Sequence, residues 1–388
     1  MTYKFSAPMA NLKPSAIREL FKITGQPGVI SFAAGNPSPD AFPSGELCEL
    51  AARILTDKPD FVLQYGITEG YMPLREAVAQ RLEGQNIFRE ADITVITSGA
   101  QQGIGLAARV MCDAGDVVLC ESPSFIGALN SFRSHGLKLK GIDIDECGIV
   151  PESLEKTLET TPNAKILYTI PTFQNPTGIT MTLERRKKIL ELCERFNVII
   201  LEDNPYGDLS YDGEPPVTIK SLDTKGIVIY VGSFSKIISP GLRLGYVIAP
   251  APIAEKIVVA KQGEDVHTTL FSQVLAHEFM TNYDLDAHIS KCCDLYRRKR
   301  DMMVKACRRY LDADIIVPGG GLFLWGNLKN EGDSMAFYRR ALDKKVALVA
   351  GGVFLPDTDG VTPGFRLNFS MPSDEQIEKG IEILGGLI

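Results

Sequence analysis

From about Asp92 onward, short apolar runs alternate with longer stretches of helical periodicity. ITVIT at 93–97, VVLC at 117–120, KILYTI at 165–170, VIILED at 198–203 and IVIYVG at 227–232 read as buried strands. Segments 101–112, 124–134, 151–160 and 182–196 read as helices between them. Parallel strands need crossover connections and bury both faces, so this alternation predicts an α/β architecture with a largely parallel sheet covered by helices.

The last hundred residues change character. A long, basic helical stretch from about Tyr283 to Tyr310 leads into strands near 314–317, 322–328 and 364–369, which predicts a second, smaller α+β domain. Ser373, with Gln376 three residues on, has the form of a capping box for a final helix. GNPSPDAFPSG at 35–45 is a loop by composition, and no internal repeat is visible.

Length and charge narrow the function. At 388 residues, two domains are expected, or a large one with a smaller one wrapped against it. Hydrophobic residues make up 45% and charged residues 23%, the balance of an ordinary globular protein. A formal net charge of -7 argues against general nucleic-acid binding, which rests on a basic surface, and favours small-molecule chemistry. The eight cysteines are dispersed apart from Cys292 and Cys293, with no CxxC and no Cys/His spacing suited to a metal; reduced thiols in a cytosol are the expectation. Met1 to Ala10 lacks the pattern of a signal peptide, and no apolar run has the length of a bilayer span, so no membrane role and a cytoplasmic location are expected.

Five segments carry candidate chemistry, each with a bland alternative. In SFSKIISPGLRLGY at 233–246, Lys236 offers an amine for a Schiff base with pyridoxal 5'-phosphate, while Ser233, Ser235 and Arg243 suit the cofactor's phosphate; the alternative is a solvated loop. In LEDNPYGDL at 201–209, Asp203 could pair with a pyridine nitrogen and Tyr206 could hydrogen-bond the ring's 3-oxygen, or the segment is an acidic turn. Asn175, in PTFQNPTGIT at 171–180, precedes a proline that biases it to extended backbone, and its amide could reach the same oxygen. TSGAQQGIGLAAR at 97–109 joins a strand to a helix through small residues, leaving backbone N–H groups for an anion, yet it matches neither GxGxxG nor the P-loop. Arg366 in FRLNFS at 365–370 sits on an otherwise apolar strand, where either a substrate α-carboxylate or a protein carboxylate would partner it.

Taken in order, these segments resemble the class I and II aminotransferases of the aspartate aminotransferase superfamily, over about Ser31 to Phe369. AAGNPSPDAFP at 33–43, QYGITEGYMPLREAVAQRL at 64–82 and PGGGLFLW at 318–325 are similar to three further family blocks. The resemblance implies fold type I: a large domain with a mostly parallel seven-stranded sheet between helices (44–284), an N-terminal arm (1–43), and a smaller domain at 285–388 completed by the N-terminal segment. It implies pyridoxal 5'-phosphate as cofactor, with Lys236 as Schiff-base lysine and acid/base, Asp203 at the pyridine nitrogen, and Asn175 and Tyr206 at the 3-oxygen. Phe125 would stack on the ring, and Gly99, Ala100, Gln101, Ser233, Ser235 and Arg243 would hold the phosphate. Arg366, Asn175 and Gly35 would bind substrate, and Tyr65 would reach the neighbouring subunit's phosphate, which implies a homodimer with sites at its interface.

Two positions depart from the family pattern. Phe125 stands where many relatives carry Tyr, and Ala100 where Ser or Thr is common; neither removes the chemistry. The segment 15–43 looks most like the branch containing 2-aminoadipate and kynurenine aminotransferases, sometimes described as MocR-like, in which Arg18 could meet a side-chain carboxylate. The expected reaction is ping-pong transamination of an L-amino acid with a 2-oxo acid such as 2-oxoglutarate. A β-lyase or decarboxylase on the same scaffold is the alternative, because cofactor residues do not decide which bond breaks. A regulatory module is a further one, although the first forty residues, with Lys4, Lys13, Arg18 and Lys22 as their basic groups, leave no room for a DNA-binding domain.

Overall fold

The computed structural model of the protein describes residues 3–11, 28–214, 216–358 and 360–388. Its main sheet contains β1 (Asp92–Thr97), β2 (Val117–Ser122), β3 (Lys138–Asp145), β4 (Gly148–Ile149), β5 (Ala164–Thr169), β6 (Ile199–Asn204), β7 (Val228–Ser233) and β8 (Gly245–Pro250). The strand order is β1-β8-β7-β6-β5-β2-β3-β4. From β7 through to β3 every pairing is parallel. β8 runs against both neighbours, β7 and β1.

All five strands expected from their apolar runs are present, and the mainly parallel sheet between helices is borne out. β3 and β8 are additional to them, and β3 carries the weaker signal. β3 lies near the sheet edge with mostly exposed or half-exposed side chains, so its pattern KLKGIDID is too polar to stand out. The sheet has eight strands where seven were expected because β4 adds a two-residue hairpin to β3. Asp145 caps that turn by accepting from the Cys147 N–H at 2.8 Å, and Gly148 follows at φ 101°, a conformation glycine adopts without a Cβ penalty.

The strands are buried on both faces, as parallel strands require. Val118 and Cys120 of β2 face a core with Ile104, Leu129 and Phe132, from helices Ala100–Met111 and Ile126–Ser134. Val117 and Leu119 face the opposite core with Leu154, Ile189 and Cys193, from helices Pro151–Glu159 and Leu183–Phe196. Each fully buried Leu, Ile or Phe contributes about 1.5–3 kcal/mol. The helix at 183–196 begins where the Thr182 hydroxyl accepts from Arg185 N–H and stops at Asn197 in the left-handed region.

The C-terminal region forms a second, antiparallel sheet of β9 (Ala313–Ile316), β10 (Phe323–Leu328), β11 (Val349–Ala350) and β12 (Gly364–Asn368), in the order β9-β10-β12-β11. The basic helical stretch is the helix Leu285–Tyr310, capped by Asp284, and it packs on Asp374–Gly385, whose predicted capping box of Ser373 and Gln376 is present. Ile30–Ser31 pairs in parallel with Val346–Ala347, which ties the N-terminal segment to this region. Among the described residues no helix is long and apolar enough to cross a membrane.

One buried ion pair anchors the edge of the main sheet. Lys220 Nζ lies 3.0 Å from Asp92 Oδ1 with both side chains buried, and the Ile219 and Lys220 N–H groups donate to Glu202 at 2.9 and 2.7 Å. Lys220→Ala would strand the Asp92 carboxylate, so chemical denaturation should register a loss of about 3–5 kcal/mol.

Candidate active site

The reversed direction of β8 determines where the site lies. The chain leaves β7, turns through residues 234–244, and re-enters the sheet at the edge where the parallel strands end. Asp203 near the end of β6, Asn175 after β5, Phe125 after β2, Lys236 after β7 and the Gly99 turn after β1 therefore meet the start of β8, which carries Arg243 just before it. Open α/β sheets bind ligands outside the carboxyl ends of their strands, at the point where chain order reverses. Here β2 is followed by β3 on one side and β5 on the other.

A cavity of about 270 Å³ opens there, lined by Lys236, Asp203, Tyr206, Asn175, Phe125, Ala100, Gln101, Ser233, Ser235, Arg243, Arg366 and Gly35 among others. Thus twelve of the residues expected from the sequence converge. Gly99 lies immediately behind the wall: its φ is 80°, and a Cβ there would run into the Arg243 guanidinium. Tyr65 is not on this wall. It is 80% exposed and meets His267 edge-on at 5.7 Å. Arg18 lies outside the described residues.

Lys236 is half-buried and donates from Nζ to the Gly35 carbonyl at 2.7 Å. Burial, reinforced by the nearby positive charges of Arg366 and Arg243, pushes its amine down to about 8, far enough for a minor neutral fraction near neutral pH. Asp203 is buried, and Tyr168 Oη donates to its Oδ2 at 2.8 Å. Its Oδ1 is buried with no hydrogen-bond partner among the described residues, and burial raises the carboxyl to about 7 against the Tyr168 hydrogen bond.

Arg366 sits on β12, paired to Trp325 on one side and Val349 on the other, and is 2% exposed. Nη1 donates to Asn175 Oδ1 at 2.8 Å and Nη2 to the Ala33 carbonyl at 2.8 Å. Its guanidinium lies 4.1 Å from the Phe323 ring centre and 4.9 Å from that of Phe354. Every one of these partners is neutral, Nε has none among the described residues, and burial pushes the group down to about 10. The protein carboxylate left open as an alternative is not there among the described residues. Asn175 Nδ2 in turn donates to Tyr206 Oη at 3.4 Å.

The opposite end of the cavity suits an anion. The helix Ala100–Met111 starts at Gly99 without a side-chain cap, so its first N–H groups and the positive end of its dipole face the wall. Arg243, held at φ 54°, donates to the Ser98 carbonyl at 3.2 Å, while Ser233 Oγ accepts from Ser235 N–H at 3.1 Å.

The family model for aminotransferase class I and II matches residues 27–384. The chain belongs to that family. An aromatic-amino-acid aminotransferase of Thermococcus litoralis is 38% identical over 99% of this chain and 94% of its own length. A kynurenine aminotransferase of Pyrococcus horikoshii, solved with PMP, superposes with a TM-score of 0.94 at 36% identity, covering 99% of this chain and 96% of that one. The α-aminoadipate aminotransferase LysN of Thermus thermophilus, solved with N-(5'-phosphopyridoxyl)-L-leucine, gives 0.90 at 35% identity, with 99% and 96% covered. These are the aminotransferases of the expected branch, and amino-group transfer between amino acids and 2-oxo acids on pyridoxal 5'-phosphate is borne out as the chemistry of this aminotransferase.

The cavity fits that cofactor on its own terms: an amine at one wall, an orphaned buried carboxylate oxygen at another, and an uncapped helix start beside an arginine. Three contributors escaped sequence reasoning. Tyr168, which orients Asp203, looks like any core aromatic of a buried strand. Phe354 gives no signal at all. Glu121 is buried behind the site and accepts from Thr169 Oγ1 at 2.5 Å, Ile170 N–H at 3.2 Å and Gln174 Nε2 at 3.0 Å; it steadies the segment that carries Asn175.

The raised Asp203 carboxyl has a consequence for stability. A carboxyl that holds its proton more tightly when folded favours the folded state at low pH, and that contribution is lost as pH rises from the ordinary carboxylate range through about 7. Asp203→Asn should therefore stabilise the cofactor-free aminotransferase, by an increment that grows on the order of 1–3 kcal/mol between about pH 5 and pH 8 in denaturant titrations.

Proposed function

We propose that this pocket moves the α-amino group of an L-amino acid to a 2-oxo acid in two alternating half-reactions, with Lys236 as the catalytic base and 2-oxoglutarate as acceptor. The observation that carries this reading is Arg366. A buried cation whose protein partners are all neutral, with one N–H left over, is suited to receive a carboxylate from outside the chain.

When bound, pyridoxal 5'-phosphate supplies an aldehyde that bonds amines and a pyridine ring that withdraws electrons from the substrate α-carbon. Asp203 Oδ1 would hold the ring's N–H, Asn175 and Tyr206 its 3-oxygen, and Phe125 its face. The first N–H groups of helix 100–111, with Ser233, Ser235 and Arg243, would hold the phosphate. Lys236 Nζ would carry the cofactor, and its lowered basicity suits it, once released, to take up and give back the proton at the substrate α-carbon. Arg366 would fix the α-carboxylate and so turn the α-hydrogen towards Lys236, while Gly35 keeps backbone rather than side chain beside the substrate.

An aromatic donor is favoured, supported by the Phe323 wall and by the names of the Thermococcus and Pyrococcus relatives. The assignment of 44–284 as the cofactor-binding domain and 285–388, with the N-terminal arm 1–43, as the smaller one is supported by the separation into two larger sheets. A homodimer is supported by the exposed Leu63, Tyr65 and Ile67 on one segment, a cluster of the kind that marks an interface, with Tyr65 then serving the partner's phosphate. A cytoplasmic location is supported by eight unpaired cysteines.

Two outcomes follow. Lys236→Ala should retain the fold, judged by circular dichroism, and lose turnover by about a thousandfold or more. Arg366→Ala should raise KM for amino-acid donors about 10- to 100-fold, yet leave binding of an amine that lacks the carboxylate unchanged.

A further inference from the structure

Behind the anion end of the cavity lies a cluster that the reaction does not use. The helix Ala251–Gln262 ends at Gly263, and the chain then passes through Val266 at φ 64°. For a β-branched residue that conformation is an outlier, and Val266 is 51% exposed, so side-chain burial does not compensate for it. What holds the turn is Asp265. Its Oδ1 accepts from Lys261 Nζ at 2.6 Å, and its Oδ2 accepts from Ser98 Oγ and from Gln102 Nε2, both at 2.9 Å.

Those contacts converge on Ser98. Its N–H donates to Gln102 Oε1 at 2.8 Å, its hydroxyl lies between Asp265 and Thr268, 3.2 Å from Thr268 Oγ1, and its carbonyl accepts from Arg243 at 3.2 Å. Among the described residues, Arg243 otherwise donates only to the Pro240 carbonyl, at 3.4 Å. The carboxylate is thus set one residue behind the arginine. It fixes the turn that orients Arg243 without pairing with the guanidinium, and its own charge is matched by Lys261, whose side chain is fully buried.

We propose that Asp265 is a positioning residue for the phosphate end of the site: through Ser98 and Gln102 it pre-organises the Ser98–Gln101 turn and Arg243 to receive a phosphate dianion. Preorganisation of donors raises affinity by removing the cost of ordering them on binding. The inference rests on the reading of that turn as the phosphate site.

The experiment uses the full chain stripped of cofactor and titrated with pyridoxal 5'-phosphate or with pyridoxal, which lacks the phosphate, by absorbance of the bound chromophore. Wild type should prefer the phosphorylated form. In Asp265→Asn and in Ser98→Ala that preference should fall about 10-fold, the scale of a lost charge-assisted hydrogen bond, while pyridoxal affinity stays within about twofold. Ser98→Ala keeps the Lys261–Asp265 pair intact, so it answers the question even if Asp265→Asn fails to fold. An undiminished preference in the folded variants overturns the proposal, as does an equal loss for both ligands, which would mark a merely structural brace. If wild type itself shows no preference, the phosphate reading of the turn fails first and takes the proposal with it.

Discussion

A buried guanidinium whose partners among the described residues are all neutral is the constraint around which this molecule is arranged. Arg366 is held by an amide, a backbone carbonyl and two aromatic rings, and leaving such a cation in a low-dielectric interior is costly. The rest of the structure serves to keep it there. β12 carries it between two flanking strands, the N-terminal segment delivers the Ala33 carbonyl, and the main sheet delivers Asn175 across the cavity. A charge already removed from water interacts more strongly with a carboxylate brought to it than it would at the surface.

The remaining charges are distributed by the same logic. Asp203 keeps one oxygen engaged by Tyr168 and leaves the other without a partner. Burial, reinforced by the charges of Arg366 and Arg243, disfavours the protonated form of Lys236. Arg243 is aimed by backbone carbonyls, so its charge remains available. Each group is under-satisfied towards the cavity and well supported behind it. An active site of this kind gives up some stability for chemistry.

The support comes from elements that never reach the cavity. Glu121 holds the segment leading to Asn175, Tyr168 fixes the Asp203 rotamer, and Asp265 tethers the turn beneath Arg243. None of them is a recognisable motif residue, since a buried Glu, a strand Tyr and a post-helix Asp each have common structural explanations. Their roles exist only through contacts made across long stretches of chain.

Local chain chemistry made the strand runs, the helix ends and the capping box legible, because periodicity and capping depend on neighbours a few residues apart. The ordered motifs also singled out Lys236, Asp203, Asn175, Tyr206, Arg243 and Arg366, and the fold brings all six to the wall of one cavity. The polar strand β3 escaped because a strand near the sheet edge need not be apolar, and β8, GYVIAP at 245–250, was not read as a strand although only its first two residues fall in the cofactor segment. What the tertiary structure alone decided was which partners these groups lack. Whether Arg366 meets a carboxylate or only neutral atoms, and whether Asp203 keeps a free oxygen, depends on side chains brought together from opposite ends of the chain, and no spacing along the sequence encodes that meeting.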